Sequence, residues 1–163
     1  MKTESDRDEQ QGASETDFKF GEEQQPVWDL IRLDGVKILL VEDVPDARAV
    51  IGRILVRSGA SVISAESADE ARNILASSRP DVIVSDIAMP DEDGLSFLRS
   101  LRALDEVTGD HIPAVALTAF TDEMSKRQIF KAGFEAHVGK GSSSELLLTT
   151  IFKLARGLPP SVH

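Results

Sequence analysis

Six polar side chains stand where apolar runs stop. VKILLV (36–41) leads directly into Glu42 and Asp43, DVIVS (81–85) ends on Ser85 and leads into Asp86, IPAVALTA (112–119) carries Thr118 at its end, and Lys140 follows EAHV (135–138) after one glycine. If these runs are neighbouring strands, the polar residues meet at one edge. Three carboxylates in one cleft repel one another unless a divalent cation or a proton intervenes. Oxygen ligands without His or Cys favour a hard ion, and Mg2+ is the expected one. A carboxylate trio, a hydroxyl and an ammonium together suit phosphoryl transfer. One Asp oxygen attacks phosphorus, the metal neutralises charge on the equatorial oxygens, and Lys and Thr contact the rest. Each residue has a plainer explanation by itself: an acidic pair after a strand is most often a solvated loop, and a lone Lys is most often surface. Agreement across all four strand ends separates the two readings.

The elements that must position these residues repeat regularly from Val36 onward. The run 36–41 reads as a strand buried on both faces. Asp46 is expected to cap a helix with Ala47, Val50, Ile51, Ile54 and Leu55 on one face, ended by Gly59. SVIS (61–64) is a second strand, and Ser67 with Glu70 forms a capping box for a helix stopped before Pro80. The third strand is 81–85, and Leu95, Leu98 and Leu101 mark the third helix. Strand four covers 112–119, Thr121 is expected to cap a helix ending near Gly133, strand five covers 135–138, and Ser142 with Glu145 boxes a last helix ended by Gly157 and Pro159. Alternating strand and helix predicts an α/β, flavodoxin-like (βα)5 doubly wound parallel sheet of order 2-1-3-4-5, with the site at the carboxyl ends of strands one and three.

Composition narrows the classes further. The 163 residues are 41% hydrophobic, enough for one packed domain. The formal net charge of −10 argues against a nucleic-acid partner, which needs a basic face. No apolar run approaches the ~20 residues needed to cross a bilayer, and no secretory signal precedes the domain, so a cytoplasmic protein with no membrane partner is expected. The absence of cysteine removes disulfides, thiolate nucleophiles and Cys-based metal sites. Residues 1–35 hold ten acidic and four basic side chains and are expected to be a disordered acidic tail and linker, with the domain over 36–157 and a short tail at 158–163. Val27, Trp28, Leu30, Ile31 and Leu33 form a short apolar cluster, either a linker leaning on the domain or a docking segment.

Over residues 36–156 the sequence resembles the receiver domain of two-component response regulators. LLVED (39–43), SDIAMPDEDG (85–94), ALTAF (116–120) and Lys140 after AHVG carry the resemblance by their order and spacing. It implies Asp86 as phosphoacceptor, Asp43 as a direct Mg2+ ligand, Glu42 as the acid acting through metal-bound water, and the Ala88 backbone carbonyl as a further ligand. It also implies Thr118 as the switch hydroxyl, Lys140 as the phosphate-binding lysine, and Met89, Pro90 and Gly94 as the turn after strand three. The implied partners are a histidine kinase, a hybrid kinase or a histidine phosphotransfer protein, and a downstream protein met through helix four, strand five and helix five. Either a monomer or a phosphorylation-dependent homodimer would fit.

Two positions depart from the family pattern. Gly141 replaces the proline that usually follows the lysine, which predicts a trans peptide and a looser loop, since a cis bond without proline costs about 3 kcal/mol. His137 occupies the place of the usual Tyr or Phe switch, filling the slot or making the output sensitive to pH. A haloacid-dehalogenase-like phosphatase would need a second acid two residues after its nucleophile, where this chain has Ala88, so no enzyme with an external product is expected. A flavin or nucleotide site would need an anion-binding loop after strand one, where this chain has VEDVPD. A degenerate receiver serving as a phosphorylation-independent scaffold is the remaining alternative.

Overall fold

A computed structural model describes residues 30–119 and 122–160 of the chain. Five strands, β1 (Lys37–Val41), β2 (Ser61–Ala65), β3 (Val82–Asp86), β4 (Ala114–Thr118) and β5 (Ala136–Gly139), alternate with five helices. These are α1 (Pro45–Arg57), α2 (Ala68–Leu75), α3 (Gly94–Thr108), α4 (Glu123–Ala132) and α5 (Ser144–Ala155). The strands form one sheet of order β2-β1-β3-β4-β5, all neighbours parallel, as the alternation predicts.

Burial explains why the central strands read as apolar runs: every residue of β3 and β4 is buried, so neither face is open to water, and polar side chains enter only at the carboxyl ends, as Ser85, Asp86 and Thr118. Period-two alternation then divides the core. Leu39, Val41, Ile83, Ala114 and Ala116 join Phe97, Leu98, Ile129 and Phe134 in one cluster on the side of α2, α3 and α4. Ile38, Leu40, Val82 and Val84 point to the opposite face, where α1 and α5 bury Leu55, Leu148 and Ile151. Leu33, just before β1, is fully buried and its N–H donates to Ser58 O at 2.7 Å. Val27 and Trp28 lie outside the described residues.

Helix starts differ from expectation by one or two residues in three places. Val44 is the N-cap of α1 with Pro45 in the first turn, so Asp46 does not cap it and lies inside the helix. Asp122, rather than Thr121, caps α4 by accepting from Ser125 N–H; Thr121 itself lies outside the described residues. Ser143, rather than Ser142, caps α5: its Oγ accepts Leu146 N–H at 3.3 Å, while Ser142 belongs to the preceding turn, its N–H donating to Gly139 O at 2.9 Å. Ser67 does cap α2, while Glu70 reaches back to Glu66 N–H at 2.7 Å, one residue beyond the usual capping box. Strand β4 begins at Ala114 rather than at 112, because Pro113 has no N–H to give the ladder and contributes only its carbonyl, to Ile83 N–H at 2.9 Å. Among the described residues no helix is long and apolar enough to cross a membrane.

Candidate functional site

The carboxyl edge of the sheet gathers the residues that the sequence placed at strand ends. β1 runs straight into Glu42, which is fully buried, and then into half-buried Asp43. Asp86 closes β3 and Thr118 closes β4, and both are almost completely buried. Lys140 follows β5, where its backbone N–H donates to Thr118 O at 2.8 Å. Its ammonium then reaches inward, 3.0 Å from Asp86 Oδ2 and 3.2 Å from Glu42 Oε1. Every described peptide is trans, Lys140–Gly141 included, and the glycine does not keep Lys140 from either carboxylate.

One oxygen from each of Glu42, Asp43 and Asp86 lies within 4.8 Å of the others. Among the described residues one ammonium, that of Lys140, meets this cluster, pairing with Glu42 and Asp86. Glu42 Oε2 accepts Val44 N–H at 3.2 Å, and Asp86 Oδ1 accepts Ala88 N–H at 3.2 Å. Asp43 Oδ1 is buried without a hydrogen-bond donor, and Glu42 Oε1 has only the Lys140 ammonium that it shares with Asp86. Burial, reinforced by the charge of Asp86, pushes the Glu42 carboxyl above its usual range, against the pull of Val44 N–H and Lys140. Burial would lower Lys140, but its hydrogen bond to Asp86 and the charges of Asp86 and Glu42 outweigh that and raise it above the usual lysine range. Buried anionic oxygens without donors are costly, and a hard divalent cation meets that need through oxygen ligands. The cluster could therefore hold a metal, with Ala88 exposed on the loop beside it.

The surrounding backbone is shaped to that edge. At Gly94, the first residue of α3, a Cβ would come 2.2 Å from Asp86 O, so the helix can approach the end of β3 this closely only through a glycine. Gly94 N–H closes the loop by donating to Ile87 O at 2.8 Å, and Met89 buries its side chain in the core. His137 lies on β5 opposite Ala116, and its ring meets Phe130 of α4 edge-on at 5.6 Å and 70°. A groove of about 450 Å³ between α1 and α5 opens beside Lys140, lined in part by Ile51, Ile54, Val138 and Leu147.

Sequence reading missed two arginines that serve this edge. Arg48, on α1, donates to Glu42 O at 2.8 Å and so holds the backbone that carries the acidic pair. Arg72, on α2, grips Glu92 on the loop after β3 through both oxygens. No motif announces either contact, since each depends on where a helix packs.

Comparison with known proteins agrees with this geometry. Residues 38–152 match the response regulator receiver domain family. The chain is 38% identical over 126 residues to the response regulator MprA of Mycolicibacterium vanbaalenii, a match covering 77% of this chain and 52% of that protein. It is 33% identical over 114 residues to hybrid signal transduction histidine kinase D of Dictyostelium discoideum, covering 66% of this chain and 7% of the kinase. The chain thus spans about half the length of one relative and a small part of the other. Among solved structures, the receiver domain of the Francisella response regulator 1452 superposes with a TM-score of 0.69 at 25% identity, covering 76% of this chain and 98% of that one. The family match, covering most of the chain, agrees with the sheet order and the acidic edge: the chain belongs to the response regulator receiver domain family.

Proposed function

We propose that the chain is a phosphoacceptor of a two-component or phosphorelay system, in which Asp86 takes a phosphoryl group from a phosphohistidine donor. A carboxylate oxygen of Asp86 forms the new O–P bond, the P–N bond of the donor breaks, and the departing imidazole keeps the electron pair and takes up a proton. Glu42, Asp43 and Asp86, with the Ala88 backbone carbonyl, would hold Mg2+. The chemistry Mg2+ supplies there is neutralisation of charge on the equatorial phosphoryl oxygens. Lys140, already 3.0 Å from Asp86 Oδ2, pairs with a phosphoryl oxygen after transfer, and Thr118 contributes its hydroxyl from the neighbouring strand end. The added charge shifts the population between two packings of α4, β5 and α5, with His137 against Phe130 in the path of that change. The output is contact with another protein through that face.

Ala88 offers only a methyl group where a phosphatase acting on external esters needs an acid, so the chain has no external product and catalyses only its own phosphorylation and hydrolysis. One observation carries the reading: a buried Asp43 oxygen without a donor stands beside Glu42 and Asp86, which share a single lysine. Intact-mass spectrometry after incubation with acetyl phosphate tests it. Wild type gains one phosphate only with Mg2+, and Asp86→Asn gains none. If wild type gains no phosphate and binds no beryllofluoride, the reading fails and the chain is a phosphorylation-independent scaffold.

A further inference from the structure

The loop of residues 87–93, between β3 and α3, bears directly on the metal cluster. Its Ala88 N–H donates to Asp86 Oδ1 at 3.2 Å and so helps set the orientation of that carboxylate. The loop is closed at its base by Gly94 N–H on Ile87 O at 2.8 Å. Its far side is held from another element. Arg72 of α2 makes two parallel bonds to Glu92, Nη1 to Oε1 at 2.8 Å and Nη2 to Oε2 at 2.5 Å. The same guanidinium donates to Ser100 Oγ on α3 at 2.9 Å and to Asp69 Oδ1 at 3.2 Å, and it lies 5.5 Å from the centre of the Phe97 ring. One side chain thus ties together α2, the loop and α3.

The hydrogen bond from Arg72 holds the Glu92 carboxyl below its usual range against the opposing effect of burial, and the same bond raises Arg72. The two side chains are 37% and 30% exposed. Ion pairs this open to water add little to global stability. The use of a bidentate fork is geometric: it fixes a plane and a position that a single point charge cannot.

We propose that Arg72 is a positioning residue for the Mg2+ site, holding Glu92 so that the 87–93 loop keeps Ala88 and the Asp86 carboxylate arranged for the ion. The inference rests on the Mg2+ reading given under Proposed function. A loop tethered only at its base must be ordered when the ion binds, and that cost appears as weaker affinity. Partners that orient ligands directly change metal affinity by 10- to 100-fold, and a restraint transmitted through a loop backbone is worth less, about 3- to 10-fold.

Calorimetric titration of the full chain with MgCl2 tests this, together with amide exchange of the metal-free protein. Arg72→Ala and Glu92→Gln each weaken Mg2+ binding by about 3- to 10-fold, and the double variant is no weaker than either single one. Exchange of the Ala88 amide accelerates in both, while labelling by acetyl phosphate at saturating Mg2+ reaches the wild-type extent. Arg72→Lys, which keeps the charge and loses the fork, falls between wild type and Arg72→Ala. The charge reversal Arg72→Glu with Glu92→Arg recovers part of the lost affinity. Because Glu92 is on a surface loop, Glu92→Gln stays informative even if an Arg72 variant folds poorly. Unchanged Mg2+ affinity in Glu92→Gln, with wild type binding normally, overturns the positioning role alone. Wild type that binds no Mg2+ overturns the proposed function and this inference with it.

Discussion

At the amino ends of β4 and β5, Glu135 accepts from Ala114 N–H at 2.8 Å and Arg102 Nη2 at 3.0 Å, and its other oxygen lies against His111. Arg102 also bonds Asp105 at 2.8 Å and Gly133 O at 3.0 Å. At the opposite edge, Glu42 and Asp86 share one lysine, and Asp43 Oδ1 beside them is buried with no hydrogen-bond donor. Both places are partly or wholly buried and rich in carboxylates. The first is satisfied from within the chain and ties α3 to the turn after α4. The second is left with its needs unmet, at a cost to the metal-free fold, and buried groups in that condition mark places kept for a ligand.

The difference makes opposite predictions for neutralising one member of each set. Arg102→Ala strands two carboxylates that are only 13% and 29% exposed, and destabilises the protein by about 3 kcal/mol, read as a lower urea midpoint with an unchanged m-value and unchanged Mg2+ affinity. Asp43→Asn removes a charge from the crowded edge, and stabilises the metal-free protein by about 1 kcal/mol while abolishing the Mg2+ response. If Asp43→Asn were destabilising to the same degree as Arg102→Ala, the contrast between the two edges would collapse.

The Arg72–Glu92 pair supplies a sharper, smaller test, because it lies near the unmet edge but is itself satisfied. The Glu92 carboxyl is held low in the fold, so its contribution is present above the unfolded value near 4.5 and is lost as pH falls through the lower folded value. Glu92→Gln therefore removes part of the acid slope of stability in metal-free protein, below about 1 kcal/mol after solvent screening, and leaves the neutral side of the profile flat. Urea midpoints measured from neutral pH down through that window check it.

Much of this was legible from the chain. Short runs of four to eight mainly apolar residues, each followed by a helical pattern, sufficed for the strand count, the parallel sheet and its order. The residues ending those runs, Glu42, Asp43, Asp86, Thr118 and Lys140, were found because a strand delivers its last residue to a predictable edge. The helix starts were less legible. Asp122 and Ser143 cap where Thr121 and Ser142 were expected, since adjacent polar residues compete for one position and the path of the preceding loop decides among them. His137 was recognised as a departure, but its contact with Phe130 depends on how α4 packs on β5.

Local sequence therefore determined the repeating strand–helix units, the identity of the polar residues at the strand ends and the sheet edge to which they go. These follow from periodicity and short connections, which act over a few residues. Only the tertiary structure decided which oxygens have donors and which do not, that Arg102 serves Glu135 across 33 positions, and that Arg72 serves Glu92 across 20. Hydrogen bonds between distant segments are set by the packing of whole helices on the sheet, and no local pattern encodes that outcome.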